Sequence, residues 1–242
     1  MENNAGTLEL IIGPMFSGKT NKLIQRYNEI KFSVEKLSSD NCGTTYSELP
    51  NEEILAINYD KDTRYGINQI ISHDRQAIGC LSVNNLWLLQ SGQHSKQLQE
   101  AKYIFINEAQ FFGNLKEWVL EQVEKLNKHV ILCGLDSDFK RHKFGDILDL
   151  IAHADSLVKL YGTCSKCTKP SIYTNRLPNN SNEQVLIGTD IYTPLCRHCY
   201  LTLNPQKYPT HVSVEVYRGL QADMAVLYIT IIIGILLVST CC

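Results

Sequence analysis

The spacing of hydrophobic and polar positions changes repeatedly along the chain between the N-terminus and about residue 155. Short apolar runs predict buried strands at Leu8–Ile12, Ile54–Ile57, Tyr103–Ile106 and His129–Cys133. Longer segments, some with apolar residues spaced three and four apart, predict helices at Lys19–Lys36, Gln93–Ala101, Leu115–Lys125 and Ile147–Ala154. Strands that alternate with helices are typical of an α/β fold, in which helices cover both faces of a parallel sheet.

The pattern changes near Thr163, where paired cysteines and prolines replace the helical spacing. This change predicts three parts: an α/β domain at 1–160, a small loop-rich domain with the cysteines at 161–212, and a C-terminal tail at 213–242. The polar segment Ser38–Glu53 contains Gly and Pro, and it predicts an exposed loop after the first helix.

Composition and charge narrow the range of partners. Hydrophobic residues fill 44% of the 242 positions, as in a globular protein, and this excludes wholesale disorder. The chain has 23 Lys and Arg against 25 Asp and Glu, so its formal charge is −2. Proteins that bind polynucleotides usually carry a basic excess, so we expect no polynucleotide partner and leave small anionic ligands open. The polar start, Met1–Gly6, predicts no signal peptide and favours a cytoplasmic catalytic region.

One segment fits the phosphate-binding pattern G-x4-G-K-[ST] between a predicted strand and a predicted helix. Its backbone N–H groups and the helix N-terminus would hold phosphates, while Lys19 reaches the β- and γ-phosphates and Thr20 ligates Mg²⁺. A chance match in a glycine-containing turn is the alternative, and the strand-loop-helix context opposes it. The candidate residues for binding ATP and Mg²⁺ are Gly13, Pro14, Met15, Phe16, Ser17, Gly18, Lys19 and Thr20.

The strand predicted at Tyr103–Ile106 ends in two polar residues, Asn107 and Glu108. In P-loop enzymes a carboxylate at the end of such a strand helps to hold Mg²⁺, and here Asn107 stands where Asp is usual. Taken alone, Asn-Glu at the end of a strand is commonplace and predicts no site.

The cysteines indicate a metal site rather than a disulfide framework. Four of the nine form two CxxC pairs, namely Cys164, Cys167, Cys196 and Cys199. Four thiolates complete the tetrahedral coordination of Zn²⁺ and leave no position for water, so the predicted zinc is structural. Four unconnected buried or redox thiols are the alternative. His198 lies between two of the cysteines, and we expect it to be a bystander.

Several motifs together resemble one family, the type II thymidine kinases of cytosolic, poxviral and bacterial origin. The resemblance follows family order from residue 8 to residue 200, about four fifths of the chain. The blocks that carry it are Gly13–Thr20, Lys61–Tyr65, His73–Arg75, Asn107–Phe112, Gly134–Asp136 with Phe139, Phe144–Gly145, Tyr173–Leu177, Gly188–Tyr192 and the two cysteine pairs.

The resemblance implies a P-loop α/β kinase domain, a zinc-bearing lasso domain, and transfer of the γ-phosphoryl group of ATP to the 5′-hydroxyl of thymidine, as in nucleoside salvage for DNA synthesis. In this family the acid that matches Glu108 is the catalytic base; a solvated loop acid is the alternative. The resemblance also assigns Asp62, Thr63, Arg64, Asn107 and Gln110 to ATP and Mg²⁺. For Asp62 and Arg64, a surface salt bridge remains open.

By the same resemblance, the loop between the cysteine pairs closes over the base and binds it largely with main-chain atoms. The implied thymidine contacts are Met15, Phe111, Leu135, Phe139, Val185, Leu186, Ile187, Gly188 and Tyr192. Each of these side chains taken singly could be ordinary core. The resemblance also suggests a homo-oligomer, a tetramer.

The chain departs from the family pattern at three places. Asn107 replaces an acid, which removes a negative charge near Mg²⁺, and about Leu37–Glu53 resembles an insertion. The third departure is the tail, where Met224–Val238 is apolar and no charge follows Asp223. A membrane span needs ~20 apolar residues, so 224–242 is a candidate tail anchor, with Cys241 and Cys242 as candidate acylation sites. A segment buried against the domain or a partner subunit is the alternative.

Two rival functions stay open at this point. One is a catalytically weak nucleotide-binding homologue with a regulatory or scaffolding role, which Asn107 alone favours and which Lys19, Thr20 and Glu108 oppose. The other is a P-loop ATPase that acts on a larger target. The cysteine pairs and the missing basic excess argue against that ATPase.

Overall fold

A computed structural model describes residues 5–39, 53–62, 68–177, 183–184 and 191–205, with positions 34–39 described as backbone only. The strands are β1 (Leu8–Gly13), β2 (Ile54–Tyr59), β3 (Gln69–Ile71), β4 (Ala77–Gly79), β5 (Leu81–Val83), β6 (Tyr103–Ile106), β7 (His129–Leu135), β8 (Ser156–Lys159), β9 (Gly162–Thr163), β10 (Pro170–Ser171), β11 (Tyr173–Arg176) and β12 (Tyr192–Leu195). The α-helices are α1 (Lys19–Ser39), α2 (Ser95–Glu100), α3 (Leu115–Leu120) and α4 (Arg197–Leu203). Shorter 3-10 helices span Leu86–Gln90, Ala109–Phe111 and Ile147–His153.

Six strands form one parallel sheet in the order β5-β2-β6-β7-β1-β8. The register pairs Gly13 at the end of β1 with Leu135 at the end of β7, and Ile106 at the end of β6 with Leu132. The carboxyl ends of the central strands therefore meet at one edge. In open α/β sheets, ligands bind in the crevice outside that edge.

Alternate residues of each central strand pack on opposite faces of the sheet. On one face Leu10, Ile104 and Leu132 join a core with the fully buried Trp118 of α3. On the other face Phe105 packs against α1, where the ring of Tyr27 meets it edge to face at 5.2 Å between centroids. The predicted parallel sheet with helices on both faces is confirmed.

Several predicted elements differ in detail from those observed. The helix predicted at Leu115–Lys125 is α-helical only to Leu120 and continues as a π-helical turn, Glu121–Lys125, and the segment predicted at Ile147–Ala154 is a 3-10 helix. The two edge strands, β5 and β8, had no strong apolar run to predict them. They are short and partly exposed because each has a neighbour on one side only.

A buried lysine fastens helix α2 to the sheet. The ammonium group of Lys128 donates hydrogen bonds to the carbonyl oxygens of Leu98, Gln99 and Ala101, at 2.5–3.1 Å. These oxygens lie at the C-terminal end of α2, where the helix itself offers no partner and a positive charge is favourable.

Small antiparallel ladders carry the cysteine-bearing region. β9 pairs with β10, and β11 pairs with β12 so that Arg176 lies opposite Tyr192. By internal contacts the chain divides into two units, Met1–Cys199 and Tyr200–Cys242, and the parallel sheet and the four paired cysteines lie in the first. The three predicted domain boundaries stay predictions.

Within the described residues, no helix is long and apolar enough to cross a membrane. The candidate anchor at 224–242, most of the predicted loop at Ser38–Glu53, and the predicted site residues Thr63, Arg64, Val185, Leu186, Ile187 and Gly188 lie outside the described residues.

Candidate active site

A cavity of about 680 Å³ opens at the carboxyl edge of the sheet. Its walls come from the loop between β1 and α1, the ends of β2, β6 and β7, and the ladder of β11 and β12. The predicted site residues that line it are Met15, Phe16, Ser17, Gly18, Lys19, Thr20, Asp62, Asn107, Glu108, Phe111, Leu135, Phe139 and Tyr192. Residues predicted to bind phosphate and residues predicted to bind the base therefore share one cavity.

The loop between β1 and α1 has the form of a phosphate cradle. Its backbone is left-handed at Phe16 and Gly18, with φ of 61° and 81°, and such turns direct successive N–H groups inward. The hydroxyl oxygen of Ser17 is buried and has no hydrogen-bond partner among the described residues, as expected of a group that awaits a ligand. The ammonium group of Lys19 donates to the carbonyl oxygen of Pro14 at 2.7 Å, which keeps it beside the loop.

Two neutral oxygens face each other beyond this loop. The Thr20 hydroxyl lies 3.4 Å from Oδ1 of Asn107, which is buried at the end of β6. Hydroxyl and amide oxygens are hard ligands of the kind that Mg²⁺ accepts. The pair therefore fits a divalent cation, although neither group brings the charge of a carboxylate.

The amide of Asn107 has further partners on both neighbouring strands. Its Nδ2 donates to Oδ1 of Asn58 at 2.9 Å, and its Oδ1 accepts a hydrogen bond from the thiol of Cys133 at 3.1 Å. Burial, with a smaller contribution from the Glu108 carboxylate, raises the pKa of the Cys133 thiol to about 12. This thiol consequently stays protonated and acts as a donor.

Glu108 reaches the cavity from a strained backbone. Its φ of 51° and ψ of 41° are left-handed, a conformation that non-glycine residues seldom adopt. The side chain of Gln110 holds it in place, since Nε2 donates to Oε2 of Glu108 at 2.6 Å while Oε1 accepts from the backbone N–H of Leu135 at 2.9 Å. Gln110 was predicted to contact ATP or Mg²⁺, but the structure places it behind Glu108 rather than in the cavity lining.

Gly145 packs closely against the backbone of Gln110. Gly145 has φ of +60°, and a Cβ there would lie 2.2 Å from the carbonyl oxygen of Gln110. Any side chain at this position would push Gln110, and with it Glu108, out of place.

Aromatic side chains form the opposite wall. Phe111 stacks on Tyr59 with 5.0 Å between ring centroids and meets Phe144 edge to face at 5.3 Å. On another side, Thr174 ties β11 to the phosphate loop, because its hydroxyl accepts a hydrogen bond from the backbone N–H of Met15 at 2.9 Å. Flat apolar walls with few polar contacts suit an aromatic ring as ligand.

Arg176 is buried and contacts three residues that line the cavity. Its guanidinium group donates to the carbonyl oxygens of Glu183 and Gln184, the latter at 2.9 Å, and to the Tyr192 hydroxyl at 2.7 Å. It also lies over the ring of Phe139, 3.7 Å from the centroid. Phe139, Gln184 and Tyr192 line the cavity, so a side chain outside the lining fixes three residues within it.

Some cavity residues were not predicted from the sequence: Asn58, Tyr59, Phe144, Thr174 and Gln184. Phe144 and Thr174 lie within the motif blocks quoted above, which was the available signal. Asn58 and Tyr59 end β2 with polar and aromatic positions, and the predicted strand stopped at Ile57, two residues before the observed end. Gln184 enters through long-range packing that no local pattern indicates.

The four predicted cysteine ligands form a separate cluster. The Sγ atoms of Cys164, Cys167, Cys196 and Cys199 all lie within 4.8 Å of one another. Ligands about 2.3 Å from a tetrahedral zinc ion would lie ~3.8 Å apart, which agrees with this spacing. The predicted grouping of the cysteines is confirmed, and it is compatible with structural zinc.

The thiols of this cluster lie close enough to shift one another's pKa values. Burial raises the pKa of Cys164, but backbone hydrogen bonds from Cys196, Lys166 and Cys167 lower it to about 6. Hydrogen bonds with Cys167 raise the pKa of Cys199 to about 12, with burial and the other two cysteines acting in the same direction. The protein alone thus stabilises one thiolate readily and opposes the next, and a bound cation would remove that opposition.

The sequence of this chain is similar to those of several known proteins. A family model described as thymidine kinase matches residues 6–40 and 42–200. A thymidine kinase of Oryza sativa subsp. japonica is 34% identical over 196 residues, which cover 81% of this chain and 66% of that protein, so the chain spans about two thirds of its length. The cytosolic thymidine kinase of Gallus gallus is 33% identical over 220 residues, covering 90% and 88%. The Monkeypox virus thymidine kinase is 33% identical over 198 residues, covering 82% and 98%.

Proposed function

Because the chain belongs to the thymidine kinase family, we propose that it transfers the γ-phosphoryl group of ATP to the 5′-hydroxyl of thymidine. The observation that carries this proposal is that Lys19 and Thr20 of the phosphate loop share one cavity with Glu108 and aromatic side chains. Phosphoryl transfer depends mainly on positioning and on charge neutralisation, and such a cavity can supply both.

The phosphate loop would bind the donor. Backbone N–H groups from Gly13 to Thr20, with the Ser17 hydroxyl, would hold the phosphates, and Lys19 would turn from Pro14 towards them. Asp62 lines the same cavity, and Thr63 and Arg64 follow it directly in the chain, so we assign all three to this end of the site. Gln110 donates a hydrogen bond to Glu108, and its contact with ATP or Mg²⁺ stays a prediction.

Thr20 and Asn107 would hold the Mg²⁺ that accompanies ATP, because their oxygens converge and are of the right kind. The ion would neutralise charge on the β- and γ-phosphates. Since Asn107 brings no charge, this chain should need more Mg²⁺ than one with Asp at that position.

Glu108 would act on the acceptor. A carboxylate within hydrogen-bond reach of the 5′-hydroxyl can orient that oxygen and take its proton as the bond to phosphorus forms. The hydrogen bond from Gln110 limits the rotation of this carboxylate. We therefore assign Glu108 as the base and Gln110 as its support.

The apolar wall would hold thymine and exclude water. Met15, Phe111, Leu135, Phe139 and Tyr192 line the cavity and offer flat or apolar surface to a pyrimidine ring and its methyl group. We further assign main-chain contacts with the base to Val185, Leu186, Ile187 and Gly188, which follow Gln184 in the chain.

The remaining assignments concern the setting of the catalytic region. We propose that the four cysteines bind a structural zinc ion. We also propose a cytoplasmic location, because the name of the chicken relative describes that protein as cytosolic. A homotetramer and a membrane anchor at 224–242 are also proposed. Sedimentation would test the first, and carbonate extraction of the full chain against a chain ending at Arg218 would test the second.

The experiment that tests the activity is phosphorylation of a nucleoside panel by purified protein with ATP and Mg²⁺. Thymidine should be a good substrate, and purine nucleosides should not be phosphorylated. Binding of ATP without phosphorylation of any nucleoside, even at saturating Mg²⁺, would contradict the proposal and favour a catalytically weak homologue.

A further inference from the structure

We propose that Asn58 and Cys133 are positioning residues that fix the side-chain amide of Asn107, so that its oxygen faces Thr20 and can serve a cation in place of a carboxylate. The inference rests on the proposed function in one respect, that a divalent cation accompanies the phosphate donor at this edge of the sheet.

The contacts hold the amide from both sides. Asn58 lies on β2 and Cys133 on β7, the two strands that flank β6, and Asn107 follows β6 directly. Asn58 accepts a hydrogen bond from Nδ2 of Asn107 at 2.9 Å, and Cys133 donates to Oδ1 at 3.1 Å. All three side chains are buried, with exposed fractions of 4% or less, so water does not replace these partners easily.

With Asn58 placed as it is, the hydrogen bonds favour one orientation of the amide. The Cys133 thiol donates to Oδ1 of Asn107, and Oδ1 of Asn58 accepts from its Nδ2. If the Asn107 amide turned over, its NH₂ group would face the Cys133 thiol and its oxygen would face the Asn58 oxygen. Two buried donors and two buried acceptors would then be opposed, which is unfavourable.

This orientation matters because an amide, unlike a carboxylate, has only one end that can bind a cation. An Asn107 free to rotate would present its NH₂ group towards Thr20 part of the time and repel the ion. A carboxylate at this position would present an oxygen in either orientation. The two neighbours thus compensate for one consequence of having Asn at 107, although they do not restore the missing charge.

A matched pair of variants tests the inference. Cys133→Ser keeps a donor of similar size, whereas Cys133→Ala removes it. We expect Cys133→Ala to raise the Mg²⁺ concentration for half-maximal activity about fivefold, as loss of one neutral hydrogen bond would, while kcat at saturating Mg²⁺ and the KM for thymidine change little. Cys133→Ser should stay within about twofold of the unmodified protein.

The same substitutions in an Asn107→Asp background make the test specific. A carboxylate needs no orientation, so there Cys133→Ala should have little effect on the Mg²⁺ requirement. An equal shift in both backgrounds, or no shift in either, would overturn the proposal. Thermal melting of each variant would check the fold.

A binding measurement separates this inference from the proposed activity. Mn²⁺ binding followed by electron paramagnetic resonance, with a non-hydrolysable ATP analogue, needs no turnover. The affinity should fall in Cys133→Ala and recover in Cys133→Ser, and this result would support the positioning role even if thymidine were not phosphorylated. Equal Mn²⁺ affinity in both variants would refute the role even in an active kinase.

Discussion

Arg176 offers the sharpest test of how the base-binding wall is assembled. The perturbation is Arg176→Lys, which keeps the positive charge but loses the planar fork that reaches Glu183, Gln184 and Tyr192 together. An ammonium group can approach one of these acceptors but cannot serve all three or stack on Phe139 in the same way. The substitution therefore isolates the geometry of the guanidinium from its charge.

The magnitude follows from the contacts that are lost. Hydrogen bonds from a charged donor contribute about 1.5–3 kcal/mol each, and a lysine would forfeit at least one of the three. Stacking on the Phe139 ring adds ~1 kcal/mol. The contacts of Arg176 would thus lose about 3 kcal/mol. A ligand that binds only when Phe139, Gln184 and Tyr192 are held in place would then bind ~100-fold more weakly.

The assay is steady-state kinetics with thymidine and ATP varied separately. The KM for thymidine should rise ~100-fold, whereas the KM for ATP should change little because the phosphate loop does not contact Arg176 through any of these bonds. Arg141→Lys is the matched control, since Arg141 also lies over an aromatic ring, but that ring, Tyr173, does not line the cavity, whereas Phe139 does. Zinc content and thermal melting would show whether the variant is folded.

Two outcomes would refute this reasoning. An unchanged KM for thymidine would mean that Arg176 holds the ladder of β11 and β12 without influence on the base. Equal increases in both KM values would mean that the substitution disturbs the cavity as a whole.

The remaining predictions concern the reaction, the metals and the fold. Glu108→Gln should still bind ATP and thymidine but turn over on the order of 10²-fold more slowly, and single-turnover kinetics would check this. Asn107→Asp should lower the Mg²⁺ concentration for half-maximal activity, measured by titration, and an unchanged titration would disprove the charge argument. Cys164→Ser should release one zinc ion per chain, detected by elemental analysis, and folded active protein without zinc would contradict the assignment. Lys128→Met should leave three carbonyl oxygens, two of them in buried hydrogen bonds, without their donor and lower the free energy of unfolding by about 2–4 kcal/mol in urea denaturation.

Local patterns predicted the elements that carry their own signal. β6 was predicted with its observed bounds, Tyr103–Ile106, because a fully apolar run between polar residues has few alternatives. The phosphate loop and the cysteine pairs were predicted because their function requires fixed spacing in the chain. Such features depend on residues that are close together in the sequence, and a local pattern is therefore enough to predict them.

Features that depend on distant neighbours were not predicted. Arg176 and Asn58 have partners that lie elsewhere in the chain or on other strands, and the motif block that contains Arg176 does not indicate which residues it contacts. The hydrogen bond from Gln110 to Glu108 was not predicted, because the motif does not indicate which side of Glu108 the amide takes. Packing decides these roles, and single-sequence periodicity carries little information about packing.

The left-handed backbone of Glu108 implies a conflict between durability and activity at that residue. A glutamate in this conformation costs the folded state about 1–2 kcal/mol relative to glycine, which adopts it freely. The surrounding bonds of Gln110 and the tight approach of Gly145 hold the residue there against that cost. A search for more heat-resistant variants would thus be expected to favour the loss of this side chain, so such a search should be coupled to a screen for turnover.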